Sequence, residues 1–303
     1  MPLVDHFLAE PLAHLPVPRP GSIRRTSHVD MVGQADGTLA LRGAAADPSG
    51  RATSRAIVGS LRDRELVSLE VDPGVAGSDG LIGRVVGKGF RAAVDALCQP
   101  GTLSSVLLSE LPIAALLSGY ASLYTGEYPN PIPEAMLASF PVDICAGWAA
   151  PGSFMVQIRR DRDMPTPAGP VAPDLEGWPE MAALEPGSMR RQRLIERSGM
   201  EVWAMFRDSY AQLDGVVSVL HEYTVEATLA AGDDGVERVA SCVARPRVLP
   251  WTECPNAAHS AERVVGRRVG ELRTMVREEM VGISTCTHLN DLLSSLAQAE
   301  QLI

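Results

Sequence analysis

The chain has 303 residues, of which 46% are hydrophobic and 21% are charged, and its formal net charge is −10. A chain of this length and apolar content can bury substantial cores, and its size predicts two domains. The acidic charge argues against nucleic acid or an anionic membrane as the main partner, because both select lysine and arginine.

The N-terminal 20 residues predict an extended arm, because five prolines interrupt any helix there. They also lack a basic segment followed by an apolar one, and no stretch approaches the roughly 18 uninterrupted apolar residues that a membrane span needs. Five cysteines, an odd number, do not resemble a secreted disulfide framework. These features together predict a cytoplasmic protein with reduced thiols.

The sequence repeats itself. The string PGSIRR at positions 20–25 returns as PGSMRR at positions 186–191. Other matches follow in the same order with a drifting offset, as loop insertions would produce: Gly83 and Gly87 reappear as Gly266 and Gly270, and Leu116, Leu117 and Ser118 reappear as Leu292, Leu293 and Ser294. Two copies are too few for a solenoid, so the repeat predicts two similar lobes with a cleft between them.

The first lobe, residues 21–125, is predicted to contain strands followed by helices. Alternating apolar residues and turn signals such as Asp36-Gly37 and Asp47-Pro48 predict four strands. Leu81, Phe90 and Val94 recur at helical spacing. The predicted strands cover 23–32, 38–45, 53–60 and 65–72, and the predicted helices cover 82–97 and 104–122.

A proline-rich connector, residues 126–186, is predicted to contain a hairpin over 142–159. The second lobe, residues 187–303, again places strands before helices. Its predicted strands are 216–231 and 236–244, and its predicted helices are 257–281 and 288–301. This order favours an α+β fold with an antiparallel sheet in each lobe.

Ligand-type side chains are concentrated in the second lobe, at the starts of predicted elements. His221 opens a strand, Cys254 precedes a helix, and Cys286 and His288 open the last helix. A helix N-terminus lowers a thiol pKa and favours thiolate. Because zinc accepts mixed histidine and cysteine ligands, these four residues predict a mononuclear zinc site. The alternative is that the thiols are simply buried, since cysteine is among the most buried residue types.

This layout also resembles that of the iron-sulfur scaffold proteins. The resemblance places His221 at the scaffold's carboxylate position, Cys254 at its central cysteine, and Cys286 or His288 at its last ligands. The chain departs from that pattern at the first cysteine, where Val219 and Leu220 supply no thiol. A single metal ion is therefore favoured over a cluster.

Other polar residues are candidates for acid-base chemistry. His28 and Asp30 stand two apart on a predicted strand and so share a face. Tyr223 shares a face with His221, and Asp208 and Tyr210 form a similar pair. The remaining cysteines, Cys98, Cys145 and Cys242, are predicted to be buried. Nucleotide cofactors are not expected, because the chain has neither a dinucleotide fingerprint nor a Walker loop.

The segments HEYTVEATL, ECPNAAHSAERVVG and CTHLNDLLSSLA, together with PGSIRRTSHVDM and DICAGW, resemble a bacterial domain-of-unknown-function family whose members end in a Cys-Thr-His-Leu segment. The resemblance associates some relatives with aromatic catabolism, including cofactor-independent lyases that release formaldehyde from lignin-derived dimers. It implies a carbon-carbon lyase acting on a small aromatic compound at the interlobe cleft. The alternatives are a noncatalytic metal or iron-sulfur-binding protein, a metal-dependent hydrolase and a metal-free binding module. The sequence is also compatible with a homodimer.

Overall fold

The computed structural model describes residues 3–47, 52–125 and 129–303. Its strands are β1 (Leu3–Asp5), β2 (Leu8–Ala9), β3 (Ile23–Gly33), β4 (Leu39–Asp47), β5 (Ala52–Arg62), β6 (Glu65–Asp72), β7 (Thr166–Ala168), β8 (Met189–Ser198), β9 (Glu201–Ala211), β10 (Val217–Ala231) and β11 (Glu237–Leu249). Its α-helices are α1 (Phe90–Leu97), α2 (Leu103–Leu117), α3 (Gly119–Thr125), α4 (Glu134–Ser139), α5 (Ser153–Asp161), α6 (Leu272–Glu279) and α7 (Thr287–Ser295). Short 3₁₀ helices cover Ser78–Leu81, Ala146–Trp148, Cys254–Val264, Val269–Glu271 and Leu296–Gln301. The predicted α+β class is confirmed.

Nine of the described strands form one antiparallel sheet in the order β2-β11-β10-β9-β8-β3-β4-β5-β6, while β1 and β7 form a separate parallel pair. The halves supply four consecutive strands each, β3–β6 and β8–β11, and the N-terminal arm adds β2 at the β11 edge. The halves meet where β3 pairs with β8, with Ile23 opposite Arg197 and Met31 opposite Met189. The two halves therefore share a single sheet, whereas the repeat predicted one sheet for each lobe.

The repeated string marks the same local structure in both halves. Gly21 precedes β3 with φ 74°, and Gly187 precedes β8 with φ 79°. This left-handed conformation is open to glycine at little cost and reverses the chain just before each strand. The repeat therefore places two equivalent strands side by side at the centre of the sheet.

Equivalent arginine–aspartate pairs follow in the two copies. Arg191 on β8 lies opposite Asp208 on β9, and its guanidinium donates to the carboxylate at 2.6 Å. In the first half, the Arg25 guanidinium lies 3.8 Å from the Asp47 carboxylate at the end of β4. The duplication thus extends to buried charged residues.

Helices from both halves cover one face of the sheet. The Thr102 side chain caps α2 by accepting from the Ser105 N–H at 3.3 Å, and α2 is buried on nearly all sides against the first-half strands. The helical stretch Leu103–Ala121 is long and apolar enough to cross a membrane, but 72% of its most apolar window is buried inside the structure. Its composition is therefore accounted for by packing in the core.

Extended segments cover part of the other face. Leu12 and Leu15 of the N-terminal arm, together with Trp178, pack over Leu194 and Met205. The arm also pairs with its neighbours through backbone hydrogen bonds, including one from the Leu15 N–H to the Glu176 carbonyl at 2.9 Å. Side chains at the centre of the sheet are consequently buried on both faces.

The hairpin predicted over 142–159 is wrong. The chain there forms the 3₁₀ turn Ala146–Trp148 and helix α5, because Phe154, Met155 and Ile158 bury one side at helical spacing. Strand-like alternation of Phe154, Val156 and Ile158 had suggested the hairpin, but Val156 is 48% exposed.

Two predicted helices are shorter or broken. The helix predicted over 82–97 forms only from Phe90, because Gly83 and Gly89 have φ 80° and 87°. The helix predicted over 257–281 divides at Gly266, whose φ is 82° and whose N–H donates to the Val239 carbonyl at 2.8 Å. The last helix is α only to Ser295 and continues as 3₁₀. Positions 48–51 and 126–128, within the Asp47-Pro48 turn and the start of the connector, lie outside the described residues.

Candidate functional site

Three side chains from different elements meet beneath the helical face of the sheet. Asp208 on β9 and His221 on β10 are directly opposite in the sheet register, next to a bulge between Val219 and His221. His288 is the second residue of α7 and reaches the same place. All three side chains are buried. Secondary-structure geometry therefore fixes the position of each.

The three residues form a compact cluster, which we call the Asp-His-His cluster. The His221 and His288 rings stack with centroids 4.0 Å apart and an interplanar angle of 18°. His221 Nδ1 lies 3.6 Å from Asp208 Oδ2. One ligand atom from each residue lies within 4.8 Å of the other two. Among the described residues, this is a group whose geometry could hold a metal ion.

Each residue of the cluster has a buried polar atom without a hydrogen-bond partner in the described structure. These atoms are Asp208 Oδ2, His221 Nδ1 and His288 Nε2. Leaving one buried polar atom unsatisfied costs about 1–3 kcal/mol, so three such atoms at one place are an energetically costly arrangement. An imidazole nitrogen pair and a carboxylate oxygen are typical ligands of zinc and ferrous ions.

Burial sets the protonation of the histidines. It lowers the pKa of His288 to about 3 and holds the pKa of His221 well below its ordinary value. Both rings are therefore neutral near pH 7, which is the form that binds metal. Burial also raises the pKa of the Asp208 carboxyl to about 7, against the attraction of Arg191.

A network of buried arginines and carboxylates holds the cluster in place. Arg191 donates to Asp208 at 2.6 Å and to Asp291 at 2.8 Å, and its guanidinium carbon lies 4.4 Å from the centroid of the Phe206 ring. Arg193 contacts Asp291 and also pairs with Glu110 of α2 at 2.9 Å. Because Glu110 belongs to the first half, this network ties the site to both halves of the chain.

An open cavity of about 280 Å³ adjoins the cluster. A volume of this order suits a small organic ligand. Its wall is mostly aromatic and apolar, with Tyr120, Leu123, Trp148, Phe154, Met164 and Trp251. The Tyr120 hydroxyl lies 3.3 Å from His221 Nε2, the ring nitrogen that faces away from Asp208. Tyr120 therefore connects the cavity with the cluster.

The two predicted thiol ligands, Cys254 and Cys286, are not members of the cluster. Cys286 caps the start of α7, and its Sγ is 3.8 Å from His288 Nδ1. Burial raises the pKa of Cys286 to about 12, which outweighs the effect of the helix N-terminus. The backbone carbonyl of Cys254 accepts from the Tyr223 hydroxyl at 3.3 Å, and the pKa of the Cys254 thiol is also raised by burial. Both thiols are therefore protonated.

Comparison with known protein families gave a match in the second half of the chain. Residues 189–301 match the family model described as "Protein of unknown function (DUF2889)". No curated protein and no solved structure matches the chain. The matched DUF2889 region contains the whole Asp-His-His cluster together with Arg191 and Asp291. Tyr120, Trp148 and Phe154 of the cavity wall lie before it.

Two of the predicted acid-base residues, His28 and Asp30, lie elsewhere. Val29 and Met31 face the helices, so His28 and Asp30 point to the opposite face of β3. There both carboxylate oxygens of Asp30 accept from Arg190 at 2.6 Å. Tyr223, also predicted to be catalytic, lies within the DUF2889 region on the helical side of the sheet and donates to a backbone carbonyl.

The sequence predicts that His221 and His288 share one site, but it does not reveal Tyr120, whose hydroxyl connects that site with the cavity. Asp208 was noted as the partner of Tyr210, although its carboxylate pairs with Arg191 and faces His221. Tyr120 gave no sequence signal, since it lies in an apolar helical stretch. Only the repeated Arg pair of PGSMRR could have drawn attention to Arg191.

Proposed function

We propose that this protein is an enzyme that holds one divalent metal ion on Asp208, His221 and His288 and acts on a small aromatic compound in the adjacent cavity. The observation that carries the proposal is the convergence of three unpartnered, buried ligand atoms beside an aromatic-walled cavity. Five free, buried cysteines suit the reducing cytoplasm in which we place the enzyme.

The cluster fits a single ion of the zinc or ferrous type. Metal bonds from histidine and carboxylate are about 2.0–2.2 Å long, so ligand atoms in one shell lie about 3–4 Å apart. The 3.6 Å separation of His221 Nδ1 and Asp208 Oδ2 falls in that range. With Nδ1 bound to metal, the His221 proton resides on Nε2 and points at Tyr120, as the second ring nitrogen of a metal ligand commonly points at an oxygen.

The reaction that we propose is a retro-aldol cleavage that releases formaldehyde from an aryl ketone bearing a β-hydroxyl group. In the reacting form Tyr120 would be a phenolate that accepts from the His221 Nε2–H; this phenolate takes the hydroxyl proton, and the carbon-carbon bond breaks as formaldehyde forms. The bonding electron pair passes to the enolate, and Tyr120 returns the same proton to its carbon. Atoms and charge balance without an oxidant. Burial raises the pKa of Tyr120 well above its ordinary value, and a bound ion would supply positive charge behind His221 that counteracts this shift and favours the phenolate.

Metal analysis tests the first part of the proposal. Purified protein should contain close to one equivalent of zinc or iron, and His221→Ala and His288→Ala should lose it. His259→Ala is the matched control, because His259 is exposed and lies outside the cluster. Metal below about a fifth of an equivalent, unchanged by either cluster variant, would contradict the metal site.

Turnover tests the second part. Formaldehyde release from 3-hydroxypropiophenone should be measured for the holoprotein and for a chelator-treated sample. Release that stops on chelation and returns with the ion supports the proposal. Failure of the loaded protein to cleave this probe and its ring-substituted analogues would remove the lyase assignment while leaving the metal site in place.

A metal-free relay is the second candidate, and a specific contact favours it. Tyr120 and Asp208 lie on opposite ring nitrogens of His221, at 3.3 Å and 3.6 Å. This is the order of groups in a hydroxyl-histidine-carboxylate relay, in which the carboxylate orients the ring and the ring moves the proton. Formaldehyde release that persists in metal-free protein would select this candidate.

A further inference from the structure

The rim of the aromatic cavity carries an unpaired positive charge. Arg64 lines the cavity, and its other lining residues are neutral. Within the described part of the chain, no carboxylate forms an ion pair with Arg64, and its guanidinium donates to the Val86 carbonyl at 3.4 Å. An arginine beside aromatic side chains, with no acidic partner, can accept an anionic group from a ligand.

Arg64 lies in a turn whose left-handed backbone conformation is unfavourable for arginine. Asp63 and Arg64 form the two-residue turn between β5 and β6 with φ 49° and 67°. Such turns favour Asn-Gly because left-handed φ is unfavourable for most side chains. The Arg64 carbonyl is fixed by the Val86 N–H at 2.7 Å. Unfavourable backbone conformations that persist are concentrated at ligand-binding positions.

The two polar groups of the cavity lie at different depths. Arg64 is exposed, whereas the Tyr120 hydroxyl reaches the buried His221. A ligand that meets both groups has an anion near solvent, an aromatic body against the apolar cavity wall, and its reacting group inside. A carboxylate matches the planar guanidinium through two parallel hydrogen bonds.

We propose that the substrate is an aromatic carboxylate and that Arg64 binds its carboxylate group. This inference rests on the proposed function, because it assigns the substrate class of the same cavity. It makes Arg64 a specificity-determining residue rather than a catalytic one.

The test compares an acid with its neutral isostere by isothermal titration calorimetry. The intact protein should bind 3-phenylpropanoate about tenfold more tightly than 3-phenylpropanamide, the size expected for one charge-assisted hydrogen bond. Arg64→Met should reduce the affinity for the acid to that for the amide, and Arg64→Lys should retain part of the preference. The preference should also weaken with added salt.

Arg62→Met is the matched control. Arg62 lies on the same hairpin, is exposed and pairs with Asp36 at 3.4 Å, but it does not line the cavity. This variant should keep the full preference for the acid, and melting curves should show that all three variants fold. Equal affinity for acid and amide, a preference that survives Arg64→Met, or binding of neither probe would overturn the inference.

These outcomes are separable from those of the proposed function. Binding that prefers the acid in a protein without metal supports the role of Arg64 and removes the metal site. A protein that holds one equivalent of metal but shows no preference for the acid supports the metal site and removes the role of Arg64.

Discussion

The imidazole rings of His221 and His288 lie stacked at 4.0 Å, one on a central strand and the other at the start of the last α-helix. Two protonated rings at this distance would repel each other strongly in a buried environment. The contact therefore requires at least one neutral ring, and burial keeps both neutral. The proposed metal site depends on this neutrality, because neutral ring nitrogens of His221 and His288 can bind a metal ion together with the Asp208 carboxylate.

Removing the Tyr120 hydroxyl should separate chemistry from metal binding. Tyr120→Phe keeps the ring in the cavity wall but loses the contact with His221 Nε2. We expect kcat for formaldehyde release to fall about 10²–10³-fold, as for loss of a general acid-base group, with metal content unchanged. Tyr124→Phe is the control, because the Tyr124 hydroxyl donates to the Pro167 carbonyl instead. Equal losses in both variants would point to a structural effect.

Asp291 should be essential to stability. It contacts Arg91, Arg191 and Arg193, and these arginines hold its pKa well below the ordinary value. Asp291→Asn leaves buried positive charges without their partner and should lower the free energy of unfolding by about 3–5 kcal/mol.

Denaturant unfolding at constant pH measures the effect of the Asp291 substitution. Asp234→Asn is the comparison, because Asp234 forms an exposed ion pair with Arg238 at 2.8 Å. Such exposed pairs contribute little to stability, because solvent screens them. Similar losses for the two variants would contradict the role of the buried network.

Gly147→Ala should disturb the cavity wall. A Cβ at this position would lie 2.6 Å from Cys254 Sγ and 3.0 Å from Trp251 Cδ1. Overpacking of this kind costs about 1–3 kcal/mol, and the displaced indole should weaken binding of 3-phenylpropanamide. Calorimetry and melting curves check both effects. Gly80→Ala, where an added Cβ meets nothing within 4 Å, should change neither.

A fragment containing residues 187–303 should not fold alone, although it includes all of the DUF2889 match. Without the first half, β8 loses its partner β3 and becomes an open edge. Arg193 also loses Glu110, and Asp291 loses Arg91. Circular dichroism should show no cooperative melting transition. A sharp transition with native-like strand content would show that the second half is an independent domain.

Local patterns predicted much of the fold. Strands β3 to β6, β10 and β11 and the pair α2–α3 lie within a few residues of their predicted positions, because their apolar periods agree with their tertiary burial. The α5 segment was misassigned because a short apolar run satisfies strand and helix periods alike. The helix predicted over 257–281 broke at Gly266, whose left-handed conformation depends on a hydrogen bond to distant Val239.

Only some residues of the site could be predicted from the sequence. His288 stood out at a helix start, and His221 stood out because histidine is uncommon and chemically distinctive. The prediction that His221 opens a strand is wrong, because β10 begins at Val217. Nothing local distinguished Asp208 from other strand carboxylates, and nothing marked Tyr120, because their roles come from partners on other elements.

The amino-acid order by itself determined the duplicated strands-then-helices plan, the antiparallel pairing and the placement of His221, His288, Cys254 and Cys286 in the second half. These properties follow from periodicity, turn residues and composition, which act over a few neighbouring positions. Tertiary structure decided that the halves share one sheet through β3 and β8, that a carboxylate rather than a thiol completes the cluster, and that Tyr120 faces it. Those outcomes depend on packing and charge compensation between residues far apart in the chain.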